Sequence, residues 1–271
     1  MTHPFVDQPS GSRVLVVARF DMVRLAADLR TDGRHPDLVK AVERAASAGS
    51  TRDDLRTALV SLDRILEMQA ETGDDGAVAV ARGDGVVAGA LFTQAVILYA
   101  RATATGSDRP KLLGEAKLSA EERAVHDEAI ALRSGCIAHF GRGEDLTDGP
   151  MFREAVLFNL LLVDGAPKKQ VSVFSTRAHH KVAFAARLAP LIERRLKEIA
   201  DRIDRLFEAV DVELERAGRE DADLRESMGR YEFDVDAFAG SAEGAAALRL
   251  QLASGTAIDM DYVVRVPKPA G

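Results

Sequence analysis

The chain has 271 residues, of which 46% are hydrophobic and 29% charged, a balance that suits one large globular domain or two small ones. Its formal net charge of −7 argues against general electrostatic binding to nucleic acid or to an anionic membrane, although it is compatible with a local basic site. The single cysteine, Cys136, excludes an intrachain disulfide and favours a reducing, cytoplasmic location.

Hydrophobic residues at intervals of three and four predict helices along the first half of the chain. Residues 1–12 are polar and are predicted to be disordered. The predicted helices span residues 14–30, 37–48, 52–70, 86–104 and 120–138. Val14–Phe20 taken alone could also be a strand. Gly49-Ser50 is predicted to separate the second helix from the third, which Thr51 and Asp54 would cap.

The fourth predicted helix overlaps the most apolar stretch of the chain, residues 85–100. This stretch is shorter than the roughly 20 residues that a membrane-spanning helix needs, and it contains the polar residue Gln94. We therefore predict a buried helix here and no membrane partner. The fifth helix is predicted to begin at a capping box formed by Ser119 and Glu122.

The hydrophobic pattern changes in the second half of the chain. A nearly continuous apolar run, turn residues and then an alternating segment predict a β-hairpin over 152–176. A long helix is predicted over 178–217, kinked or divided at Pro190. Apolar residues from Ile192 to Leu214 recur at near-heptad spacing, which predicts a seam for an antiparallel neighbour or a dimer partner. Arg195 is predicted to lie on the mixed-charge surface of this helix.

The predicted fold class is mainly α, or α+β by strict count. It combines a helical bundle, a β-hairpin and a long C-terminal helix in one domain over residues 13–217. Residues 218–271 form a C-terminal extension with a possible strand at 231–235, a helix over 241–253 and a strand over 259–266.

One group of residues in the middle of the chain carries the functional hypothesis. It comprises Leu98-Tyr-Ala-Arg101, then Arg109, then His126, and then Leu132-Arg-Ser-Gly-Cys-Ile-Ala-His-Phe140. This segment, about a fifth of the chain, resembles the HEPN superfamily (higher eukaryotes and prokaryotes nucleotide-binding). It is most similar to bacterial members in which a tyrosine–arginine helix precedes a helix that ends in Ala-His.

The resemblance implies a HEPN-like helical bundle and a metal-independent endoribonuclease that uses no cofactor. It implies a homodimer with a composite site, an RNA substrate, and a toxin or phage-defence role with a protein antitoxin as a further partner. The family's arginine and histidine correspond to Arg133 and His139. Ser134 takes the position where the family usually has asparagine, aspartate or histidine, and Gly135 follows it.

The chemistry implied by the resemblance suits these residue types. Metal-free cleavage of RNA uses the neighbouring 2′-hydroxyl as nucleophile, and a histidine such as His139 can move its proton near neutral pH. An arginine such as Arg133 can bind the scissile phosphate and offset the charge that develops on it. Ser134 would assist these two residues in catalysis.

Helix geometry limits how these residues can meet. Six residues along an ideal helix rotate by about 240°, so Arg133 and His139 would lie on different faces unless the helix distorts near Gly135 or a second chain contributes. Arg133 does share a face with His126, seven residues earlier. His126, together with Tyr99 and Arg101, is therefore predicted to support the site.

Two other readings of the same residues stay open. Arg133 could instead pair with Glu122, Asp127 or Glu128, and His139 could cap the C-terminus of its helix. The chain would then be a non-catalytic HEPN-like module that binds a nucleotide, RNA or a protein, or a homodimeric scaffold that uses the 192–214 seam.

Residues 83–88 match a relaxed dinucleotide-binding fingerprint, but the βαβ context that this fingerprint requires is missing.

Overall fold

The computed structural model describes residues 5–7, 13–15, 18–71, 82–104, 110–137, 146–163, 166–177 and 181–254. These residues are mainly helical, with two separate two-stranded antiparallel sheets, so the predicted class is confirmed. The chain forms two compact units, one of residues 1–42 with 212–271 and the other of residues 43–211.

The helices and strands follow each other in a simple order. The strands are β1 (Phe5–Asp7), β2 (Arg13–Leu15), β3 (Phe152–Val163) and β4 (Ala166–Arg177). The long helices are α1 (Met22–Thr31), α2 (Pro36–Glu71), α3 (Arg82–Thr103), α4 (Ala120–Ala131) and α5 (Val182–Glu220). The helices α6 (Ala222–Ser227), α7 (Val235–Ala239) and α8 (Ala242–Ser254) follow.

The core of the larger unit is built by the apolar faces of α2, α3, α4 and α5. Its largest fully buried apolar side chains are Leu55, Leu62, Ile65, Phe92, Tyr99, Leu113, Leu132, Phe184 and Leu188. Of the described helices, α3 contains one segment, Gly85–Thr103, that is long and apolar enough to cross a membrane by length and composition. One face of that segment, with Phe92 and Val96, packs into this core.

One predicted interruption of a helix is wrong, because α2 continues through Gly49-Ser50. α5 is continuous through Pro190, so it is not divided there, and the alternative of a kink stays a prediction. Ala48 and Leu55 are fully buried on either side of the expected break in α2. Their burial outweighs the roughly 1 kcal/mol that a glycine costs inside a helix.

The near-heptad seam of α5 is covered largely by the chain itself. Ile192, Ile199 and Ile203 are buried in the core of the larger unit, and Leu196 and Leu206 pack against it. These five residues therefore pack within the same chain, which covers most of the seam that was predicted for a neighbour or a dimer partner.

The smaller unit brings together segments that are distant in sequence. Tyr231 donates a hydrogen bond to the Asp28 carboxylate at 3.0 Å, and Asp221 pairs with both Arg34 and His35. These contacts hold the pKa of Asp221 well below its usual range, chiefly through the hydrogen bond from His35.

Predictions for the two ends of the chain have mixed outcomes. α8 confirms the helix predicted over 241–253, whereas the strand expected at 231–235 is reduced to one bridge between Phe20 and Glu232. The helix predicted from residue 14 begins only at Met22. Phe5–Asp7 pairs with Arg13–Leu15; the rest of the N-terminal segment and the predicted strand at 259–266 lie outside the described residues.

The predicted β-hairpin is confirmed. β3 and β4 pair without interruption from Phe152 opposite Arg177 to Val163 opposite Ala166. The strands pack on each other, and no other described helix or strand packs extensively against them.

Candidate functional site

The helix that carries the candidate motif begins in a regular way and ends in an irregular one. The Ser119 hydroxyl accepts a hydrogen bond from the Glu122 amide, and the Glu122 carboxylate accepts one from the Ser119 amide, so the capping box is confirmed. After α4 the backbone widens into a π-helical turn over Leu132–Ile137. Such turns are rare and are frequent at functional sites. The distortion includes Gly135, where the motif required the helix to depart from ideal geometry.

Arg133 lies exposed on this π-helical turn. Among the residues that the structure describes, no carboxylate pairs with its guanidinium. Two of the acidic residues that could have neutralised it are bound elsewhere. Glu122 pairs with Arg194, and Glu128 accepts a hydrogen bond from Arg187 at 3.0 Å. The described part of the structure thus leaves Arg133 available to an anion.

Ser134 is less available than Arg133. Its hydroxyl donates a hydrogen bond to the carbonyl of Ile130, one turn earlier. This bond satisfies a backbone acceptor near the end of α4. A serine held in this way cannot donate to a substrate without first breaking the bond.

Tyr99 and His126 form a buried pair. The Tyr99 hydroxyl lies 2.9 Å from Nδ1 of His126, and the rings meet edge to face with centroids 5.8 Å apart. Burial raises the pKa of Tyr99 to about 12, so its hydroxyl stays protonated and is hydrogen-bonded to Nδ1. The other ring nitrogen of His126, Nε2, lies 4.0 Å from a carboxylate oxygen of Glu115.

This pair is an internal support and not an exposed reacting group. Tyr99 is 0% and His126 3% exposed. Burial lowers the pKa of His126, against the opposing influence of Glu115, so the ring is neutral in the folded chain near pH 7. The pair joins α3 to α4, the helix that leads into the π-helical turn.

The lowered pKa of His126 has a consequence for stability. Between the folded and unfolded pKa values the unfolded chain binds more protons, so stability falls as the pH drops below about 6.5. Replacing His126 by glutamine keeps a hydrogen-bond partner for Tyr99 but removes the titratable group. The loss of unfolding free energy between pH 7 and pH 5 is expected to be smaller in His126→Gln than in the wild type. Urea unfolding across this range measures it, and equal losses in both proteins would contradict the assignment.

Arg101 binds the carboxylate of Asp54, a residue that the sequence analysis predicted to cap the start of a helix. Its Nε donates to Asp54 at 2.7 Å and its Nη2 to the second oxygen of the same carboxylate. Asp54 is buried within α2 and does not cap a helix start, so the predicted capping role is wrong. The pair ties α3 to α2, whereas the motif lies on α4 and the turn after it, so the supporting role of Arg101 stays a prediction.

The predicted site residues are thus only partly brought together. Tyr99 contacts His126, Arg101 binds Asp54, and Arg133 neighbours Ser134 on the π-helical turn. His139 lies outside the described residues, as does Arg109, so the convergence of Arg133 with His139 stays a prediction.

The dinucleotide-like fingerprint and the described metal-ligating residue types do not form a second functional site. Gly83 and Gly85 of the dinucleotide-like fingerprint lie inside α3, not in a loop before a helix. Within the described ranges, no group of three or more His, Cys, Asp or Glu side chains is arranged to hold a metal ion.

Sequence reasoning missed a fully buried charge. Arg195 was predicted on a mixed-charge surface, but it is fully buried. Its Nη1 donates to the Gly114 carbonyl at 2.9 Å and to Glu198 at 2.7 Å. The signal was its spacing, because Arg195 lies three residues after Ile192 and four before Ile199 on the apolar face of the helix.

Compared with known proteins, the chain matches no family model, no curated protein and no solved structure.

Proposed function

We propose that the chain is a metal-independent endoribonuclease of the HEPN type that acts as a homodimer. Arg133 would bind the scissile phosphate, and His139 would move the proton of the 2′-hydroxyl. By the same resemblance, its role would be that of a toxin or phage-defence effector, with a protein antitoxin as partner.

One observation carries this proposal. Arg133 lies exposed on a π-helical turn, while Glu122 and Glu128 of the preceding helix are bound by Arg194 and Arg187. An exposed guanidinium without a described carboxylate partner suits a phosphate group, which it can bind through two parallel hydrogen bonds. The buried Tyr99–His126 pair supports the helix that presents it.

The proposal predicts RNA cleavage that does not need a metal. Purified protein incubated with a mixed set of labelled RNAs in EDTA should produce fragments ending in 2′,3′-cyclic phosphate. Arg133→Ala and His139→Ala should each abolish the fragments, because one removes the phosphate ligand and the other the proton carrier. Arg219→Ala, an exposed arginine of α5 paired with Glu215, is the matched control and should cleave normally. If the folded wild type cleaves none of the RNAs, the proposed endoribonuclease activity is contradicted.

A second candidate is supported by Ser134. Because its hydroxyl is bound to the Ile130 carbonyl, the site lacks a free polar group where the family usually has one. A non-catalytic module that binds RNA through Arg133 would give a different result in the same experiment. RNA would stay intact, and fluorescence anisotropy would show binding that Arg133→Ala weakens and Arg219→Ala does not.

A further inference from the structure

The β3–β4 hairpin exposes an apolar face that the described chain does not cover. In a paired hairpin, residues opposite each other share a face, and alternate residues along a strand return to it. The register therefore sets one group of side chains on one face, here called the apolar face: Val156, Phe158, Leu160, Val171 and Val173. All five are between 60% and 73% exposed.

The opposite face of the hairpin is mixed. There Asn159 donates a hydrogen bond to the Ser172 hydroxyl at 3.0 Å, and Gln170 and Lys168 are exposed beside them. Leu157, Leu161 and Phe174 lie on the same face and are between 39% and 59% exposed. The apolar face is thus the more apolar and the more exposed of the two, and a face of this kind normally packs on something. An isolated two-stranded hairpin is only marginally stable in water, and this one has twelve residues in each strand.

The size of the apolar face fits a protein partner. Five exposed aliphatic or aromatic side chains offer on the order of 100 Å² each, or roughly 500 Å² in one chain. Two such faces placed together would bury roughly 1,000 Å², the size at which specific interfaces begin.

The charges at the ends of the apolar face fit a second copy of the same chain. Glu154 is exposed at the base of the hairpin and Lys169 near its tip, and both lie in register with the apolar face. When two copies pack with their strands antiparallel, the base of each lies beside the tip of the other. Glu154 of each copy then lies beside Lys169 of the other, so the face complements itself about a two-fold axis.

We propose that the hairpin is a self-association arm through which two copies of the chain pack their apolar faces together, antiparallel. The interface buries the five apolar side chains and pairs Glu154 with Lys169 at both ends. It does not depend on the proposed ribonuclease activity, because the residues of that site lie elsewhere in the chain.

The test is the mass of the full chain in solution. Sedimentation velocity over a range of protein concentrations should show a species of twice the 29.2 kDa chain mass. Val171→Lys places an unpaired charge in the interface and should raise the dissociation constant roughly a hundredfold or more. Gln170→Lys is the matched control, since it adds the same charge to the neighbouring residue on the opposite face, and it should leave the dissociation constant nearly unchanged.

Charge reversal tests the antiparallel arrangement separately. Glu154→Lys and Lys169→Glu should each weaken association, and the double variant should restore it, because the two pairs are then simply exchanged. Two results would overturn the proposal: a wild type that stays a single chain at high concentration, or equal effects of Val171→Lys and Gln170→Lys. A monomer that floats with lipid vesicles, and loses this binding in Val171→Lys, would assign the face to a membrane surface instead.

Discussion

Replacing Phe184 by alanine is expected to lower the free energy of unfolding by about 3–5 kcal/mol. The Phe184 ring is fully buried near the start of α5 and meets the Phe92 ring of α3 edge to face, with centroids 6.1 Å apart. Truncation removes this contact and leaves a cavity between two helices that build the core of the larger unit. Urea unfolding followed by circular dichroism measures the change.

The matched control for Phe184 lies on the same helix. Phe207 is 52% exposed, so Phe207→Ala makes the same chemical change without opening a buried cavity. Its effect is expected to be less than about 1 kcal/mol. Similar losses for the two variants would show that Phe184 does not occupy the core position described here.

Replacing Glu198 by alanine is expected to destabilise the chain by about 3–5 kcal/mol, because it leaves a buried cation without its counterion. Arg195 is fully buried, and Glu198 is its carboxylate partner at 2.7 Å. Two further nitrogens of Arg195, Nε and Nη2, have no hydrogen-bond partner among the described residues. Apart from the Gly114 carbonyl and the nearby Tyr99 hydroxyl, the guanidinium has little other compensation for its lost hydration.

Two comparisons separate charge from packing. Glu215→Ala removes the partner of Arg219 in an exposed pair on the same helix, and about 0–0.5 kcal/mol is expected. The double variant Arg195→Met with Glu198→Leu removes both charges and should recover most of the stability lost in Glu198→Ala. If the double variant is as unstable as the single one, lost packing is the cause and the uncompensated charge is not.

Features that depend on neighbouring residues could be predicted well from the sequence. The capping box at Ser119 is a contact between residues three apart, and the hairpin follows from an apolar run, a turn and an alternating strand. In both cases the residues that determine the structure lie next to each other in the chain. Local propensity and alternation were sufficient in these two cases. They were not sufficient at Thr51 and Asp54, where the same local pattern lies inside the continuous helix α2.

The candidate site was predicted only in outline. The sequence identified the arginine, the helix that carries it and the need for a distortion near Gly135. It did not indicate that Tyr99 would bind His126, that Asp54 would hold Arg101, or that Ser134 would be bound to a carbonyl. The first two contacts join residues from different helices, and their distances depend on how those helices pack.

The sequence by itself determined the mainly helical class, the hairpin and the segment that carries the functional hypothesis. Only the tertiary structure decided that α2 continues through Gly49-Ser50, that Arg195 is buried, and that no described segment covers the apolar face of the hairpin. The physical reason is the same each time. Burial depends on which distant segments meet, and the energy of that burial can exceed the local preference of a glycine or a charged side chain.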